Sequence, residues 1–225
     1  FKTGDYDRAK KVLEKILVER DLPWAKAALA KILLKKNDFE AARTLLEETT
    51  ETNPAFLVAH DLLAQTLQAM GDLEEANNVL ERAVKLSPNS VLRQKNLGGV
   101  AMKIGKLENA ERAFRKSVSL GEDSVLKTAD AYFGLAKACS ANKNPDEAIK
   151  VLGQLNKSFA TDEVRQKVLA VEGMIYHQSG NLEKTKQIAT EINQLIDQDA
   201  IHTDSDGSLE IARLLMVTDD KDKAI

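Results

Sequence analysis

The chain has a single cysteine and only four prolines among its 225 residues, and it has no long apolar run. One cysteine, Cys139, leaves no intramolecular disulfide framework and fits a reducing, cytoplasmic setting. So little proline, beside 43% hydrophobic and 30% charged residues, suits a soluble, helix-rich protein with a mixed-charge surface. No stretch approaches the roughly 18 apolar residues of a membrane span, so membrane insertion is not expected. A signal-peptide pattern is also missing, although the chain opens on Phe1 and not on Met. Charge of one sign is not in excess either. Lys and Arg number 32 against 35 Asp and Glu, a net charge of −3. The charges alternate along the expected helices, which predicts solvated faces with i,i+4 pairing and no nucleic-acid partner.

What is present is a period. From Pro54 to Pro88 the chain reads as one helix, a Gly71-Asp72 break, and a second helix ending at Ser87-Pro88. Each helix carries apolar residues at i, i+3, i+4 and i+7, the stripe of an amphipathic helix. Small residues recur at Ala42, Ala76 and Ala110, 34 positions apart each time. With Leu63-Ala64, Gly71, Ala76, Leu80, Ala83 and Pro88, this segment resembles a tetratricopeptide repeat (TPR), whose period is about 34 residues. The resemblance implies an all-α fold, a TPR-type α-α superhelix or solenoid of antiparallel helix pairs. Such an array buries its core between neighbours and forms a concave groove lined mainly by first helices.

The expected organisation is one array over 1–225. Residues 1–21 form a partial unit, with Gly4, Asp5, Tyr6, Ala9, Leu13 and Ile16 in a second helix. Full units follow at 22–53, 54–87, 88–121, 122–160 and 161–197. Residues 198–225 hold a polar loop, a short helix at 209–217 and the start of another at 219–225, with Ala224 in the small position. Because it starts in mid-unit, the chain reads as a fragment. Asn37-Asp38 replace the usual Gly-Asp break, and Thr49 stands where alanine is usual. The next small residue after Ala110 is Ala148, 38 positions on. About four residues are therefore inserted, placed at 125–128 and lengthening the start of the following helix. Tyr6, Phe39, Leu73, Leu107 and Leu182 are expected to fill the gaps just past each break.

No catalytic, metal or cofactor constellation stands out. His60, His177 and His202 lie far apart in sequence, and His60 falls beside the interhelical packing surface, which predicts a structural role. Cys139 lies on a buried stripe with Leu135 and Ala136, where a thiol is inert. Gly98, Gly99 and Gly105 match no phosphate-binding loop. The candidates for function are residues projecting from first helices. Projecting the family's inner-face positions onto this chain gives Trp24, Lys31, Asp61, Gln65, Gln68, Lys95, Asn96, Met102, Phe133 and Lys137. Lysine, amide and aromatic side chains of this kind can hydrogen-bond a peptide backbone and grip its side chains. Ala27 and Leu62 stand where a clamp for chaperone C-termini would place polar groups, which argues against that function. The expectation is a non-enzymatic module for a protein or peptide partner, with a homodimer through the array ends as a further possibility.

A narrower resemblance rests on short segments. Leu22-Pro23-Trp24-Ala25, Leu86-Ser87-Pro88-Asn89-Ser90 with Arg93-Gln94, Gly121-Glu122-Asp123-Ser124-Val125 and Tyr132-Phe133-Gly134-Leu135-Ala136 resemble bacterial response regulators in which a CheY-like receiver precedes a TPR array. This covers about residues 22–155 and implies the output region of a two-component system. The alternatives are a scaffold for envelope, pilus or secretion assembly, and a recruiting region of a larger enzyme.

Overall fold

The computed structural model describes residues 3–198 and 200–218, and among these it contains twelve α-helices and no strand. They are α1 (Thr3–Glu19), α2 (Pro23–Lys35), α3 (Phe39–Thr52), α4 (Leu57–Met70), α5 (Leu73–Leu86) and α6 (Val91–Lys103). Then come α7 (Leu107–Gly121), α8 (Ala129–Ala141), α9 (Pro145–Ser158), α10 (Asp162–Gln178), α11 (Leu182–Asp197) and α12 (Ser205–Val217). The helix start expected at 219–225, with Ala224, lies outside the described residues. The chain divides into two compact bodies, Phe1–Lys106 and Leu107–Ile225. In the first, α2 packs on α3 and α4 on α5; in the second, α8 packs on α9 and α10 on both α11 and α12.

One backbone device ends five helices. Asn37, Gly71, Gly105, Lys143 and Gly180 each adopt a left-handed conformation, with φ of 59°, 90°, 75°, 61° and 80°. In each case the next residue's N–H donates to the carbonyl five residues earlier. Asp38 N meets Leu33 O at 3.0 Å, and Asp72 to Leu67, Lys106 to Ala101, Asn144 to Cys139 and Asn181 to Tyr176 all measure 2.9 Å. This is a Schellman-type ending, which satisfies carbonyls that a helix terminus would leave bare. The following helix begins two residues beyond the left-handed residue every time. Asn37 thus takes the glycine's role, as expected, whereas Lys143 takes it without the usual glycine or asparagine.

Packing follows the small positions. Ala42, Ala76, Ala110 and Ala148 are fully buried, and Thr185 occupies the same place with its hydroxyl donating to Asn181 O at 2.9 Å. Thr49 is also fully buried, and its hydroxyl donates to Leu45 O at 2.6 Å. An i−4 back-bond lets threonine replace alanine without a bare polar group. Leu46, Leu63, Leu67 and Leu80 are wholly enclosed, each contributing about 1.5–3 kcal/mol by burial.

Three expectations are corrected. The inserted residues 125–128 lie in the connector between α7 and α8, where Val125 is exposed, and α8 keeps the 13 residues of α2 and α6. An insertion in a surface connector leaves helix packing untouched, so the chain absorbs it there. Leu182 is more than half exposed and fills no gap. The last described helix starts at Ser205, ahead of residue 209, because the Asp204 carboxylate caps it by accepting from Gly207 N at 2.6 Å.

Candidate interaction face

The second residue of α2, α4 and α6 is Trp24, Val58 and Leu92, 34 positions apart each time, and each is about half exposed (54%, 49% and 57%). Single exposed apolar residues are ordinary, but the same phase repeated on three helices forms a ladder. Two positions further on, the side chains turn inward. Lys26, His60 and Gln94 are buried. His60 Nε2 donates to Pro54 O at 2.8 Å, and Gln94 Nε2 donates to Pro88 O at 2.9 Å. Each thereby ties its helix start to the loop six residues earlier. Lys26 Nζ pairs with Asp21 at 2.6 Å and Glu48 at 2.8 Å. Burial opposes the lysine's charge, but hydrogen bonds to Asp21 and Glu48 outweigh it and raise the Lys26 pKa. With these positions fixed inward, helical periodicity sets the second residues outward.

The three helices are joined laterally. The α2 helix packs against α4, and the Arg93 guanidinium of α6 grips Asp61 of α4 through two bonds of 2.8 and 2.7 Å. Asp61, expected to face a partner, is therefore engaged by its neighbour. Lys31 and Gln65 are exposed, while Lys95, Asn96 and Met102 are half-buried. Gln68 is half-buried and donates to Ala64 O of its own helix at 3.3 Å. Val58 and Leu92 were missing from the expected set. Adding 34 and 68 to Trp24 locates both.

In α1 the signs alternate as expected, with an i,i+4 pair at Lys10 and Glu14, but from α2 to α6 charge is sorted by helix. Helices α2, α4 and α6 carry six Lys and Arg against one acid, Asp61, whereas α3 and α5 carry seven acids against three bases. The opposing excesses cancel in the whole-chain total. Lys31, Lys35 and Lys103 are exposed and have no ion pair among the described residues.

The second body treats its expected candidates differently. Phe133 is buried, with Lys167 Nζ lying 5.1 Å from its ring centroid. Lys167 is itself enclosed and reaches Asp204 at 3.4 Å and Asp206 at 3.7 Å. Lys137 is tied at 2.6 Å to the buried Glu210 of α12, which also takes Arg213 at 3.1 Å. Phe133 thus does not project from the surface as expected, because α10 contributes a lysine that covers it. Cys139 is fully buried beside Arg115 and Glu111, and burial, then the Glu111 charge, pushes its thiol up to about 11. It stays protonated and unreactive at neutral pH. Among the described residues no group of three or more His, Cys, Asp or Glu is placed to hold a metal ion. No described helix is long and apolar enough to cross a membrane.

Models of the tetratricopeptide repeat match residues 1–66, 62–125 and 100–155. No curated protein matches the chain. Among solved structures, a tetratricopeptide repeat protein from Parabacteroides merdae is 16% identical, with a TM-score of 0.75 over 98% of this chain and 83% of its own. YrrB, a TPR protein with an unusual peptide-binding site, is 18% identical, with a TM-score of 0.67 over 79% of this chain and 89% of its own. MamA is also 18% identical, with a TM-score of 0.65 over 76% of this chain and 96% of its own. At such identities the likeness is one of fold.

Proposed function

Since the chain belongs to the tetratricopeptide repeat family, we propose that it is a non-catalytic protein-interaction module, docking a partner peptide or helix on the α2–α4–α6 face of its first body. The observation that carries this reading is the exposed ladder Trp24, Val58 and Leu92. Apolar anchors at a fixed pitch, flanked by exposed Lys31 and Gln65, offer both grip and hydrogen bonds to an extended or helical segment. The peptide-binding site named for YrrB lends the reading support by analogy.

The test is a peptide-display selection on the intact chain. Selected peptides should shift the emission of Trp24, the only tryptophan, and lose at least about tenfold in affinity in Val58→Asp plus Leu92→Asp, or about 1.4 kcal/mol. Helix content by circular dichroism should not change. Peptides that bind both proteins equally would overturn the reading.

The finer setting, output region of a bacterial response regulator, is supported by the short loop and helix-start segments alone. An in-frame receiver with a phosphoacceptor aspartate upstream of Phe1 would establish it. A signal sequence or further repeats in that place would leave an assembly scaffold, and a catalytic domain would leave a recruiting region.

A further inference from the structure

We propose that the first body's face is built for an acidic amphipathic helix; this rests on the docking reading above and adds the partner's chemistry. Along each first helix, the residues at +3, +7 and +11 from the ladder share its face. On α2 these are Ala27, Lys31 and Lys35; on α4, Asp61, Gln65 and Ala69; on α6, Lys95, Gly99 and Lys103. Beyond the apolar row the stripe carries Lys31, Lys35, Lys95 and Lys103 on the two outer helices, with Gln65 and Ala69 between them on α4 and Ala27 buried. Its one acid, Asp61, is already neutralised by the bidentate Arg93. Lys31, Lys35 and Lys103 stand exposed without ion pairs among the described residues, so their charge is available to a partner.

The spacing selects the shape of the occupant. Seven and eleven residues along a helix span about 10 and 16 Å, close to the 10–12 Å diameter of a helix with its side chains. A helix lying across α2, α4 and α6 can therefore set an apolar stripe on Trp24, Val58 and Leu92 and an acidic flank on the lysines. A nucleic acid fits less well. Two of the three anchors are aliphatic, and single strands are held by aromatic stacking platforms.

Three synthetic peptides of about 18 residues, long enough to hold helix in isolation, test this. They share one leucine stripe and carry Glu, Gln or Lys beside it, and binding is read from Trp24 emission. The Glu peptide should bind about tenfold tighter than the Gln peptide, with the Lys peptide weakest and added salt narrowing the gap. Lys31→Glu plus Lys103→Glu should invert the order, and Lys31→Gln plus Lys103→Gln should flatten it; both sites are exposed, so folding is preserved. If the Glu and Gln peptides bind equally, docking stands and the charge proposal falls. If no peptide moves Trp24 emission, both readings fall. Tighter binding of a single-stranded oligonucleotide than of the Glu peptide would also overturn the proposal.

Discussion

The two bodies use the same repeat positions and spend their outward side chains in opposite ways. In the first, α2, α4 and α6 carry six bases and one acid, and Lys31, Lys35 and Lys103 are left facing solvent. In the second, α8, α10 and α12 carry four bases and six acids, and Lys137 and Lys167 bond to acids of α12 or its preceding loop. Inward positions are dictated by packing, so both bodies keep them. Outward positions are free to serve either a partner or the body's own closure. The first body has kept its face open, and the second has closed its own.

The largest test of that contrast is a pair of truncations. Phe133→Ala removes a buried ring and should cost about 3–5 kcal/mol, while Trp24→Ala at a half-exposed site should cost below about 1 kcal/mol. Urea unfolding followed by circular dichroism gives both values, and equal costs would erase the distinction. A matched glycine pair comes next. A Cβ at Gly134 would collide with the Phe114 ring, so Gly134→Ala should destabilise by about 1–3 kcal/mol. Gly99 has open space around its missing Cβ, so Gly99→Ala in α6 should stabilise by up to about 1 kcal/mol. Thermal melts of the two variants should move in opposite directions. The smallest effect concerns the break at Lys143. Replacing this left-handed lysine by glycine should gain up to about 1 kcal/mol, read as later onset of Cys139 alkylation in urea. Earlier onset would mean the lysine side chain stabilises the turn.

Much of this was legible in the sequence, for identifiable reasons. Ala42, Ala76 and Ala110 declare the period because only a small side chain fits where helices approach. Gly71, Gly105 and Asn37 declare the breaks because the left-handed region admits them readily. Lys143 gave no such sign, since its side chain is one the conformation merely tolerates. The charge sorting was hidden by cancellation, as acids on α3 and α5 offset bases on α2 and α6 in any whole-chain count. Phe133 misled because its repeat position is half-open at Asp61 and Lys95, although it is already enclosed at Ala27. Lys167, a residue of a later helix, lies over the Phe133 ring, and no local pattern announces such a cover.

The inward tether at His60 and Gln94 bears on how such a chain can lengthen. Its acceptor is a main-chain carbonyl of the loop just before the helix, an atom that every residue supplies. The requirement is thus a donor of suitable reach and not a particular side chain, and histidine and glutamine both meet it. A duplicated segment would carry both halves of its own latch, so copying could extend the array without a compensating change next door.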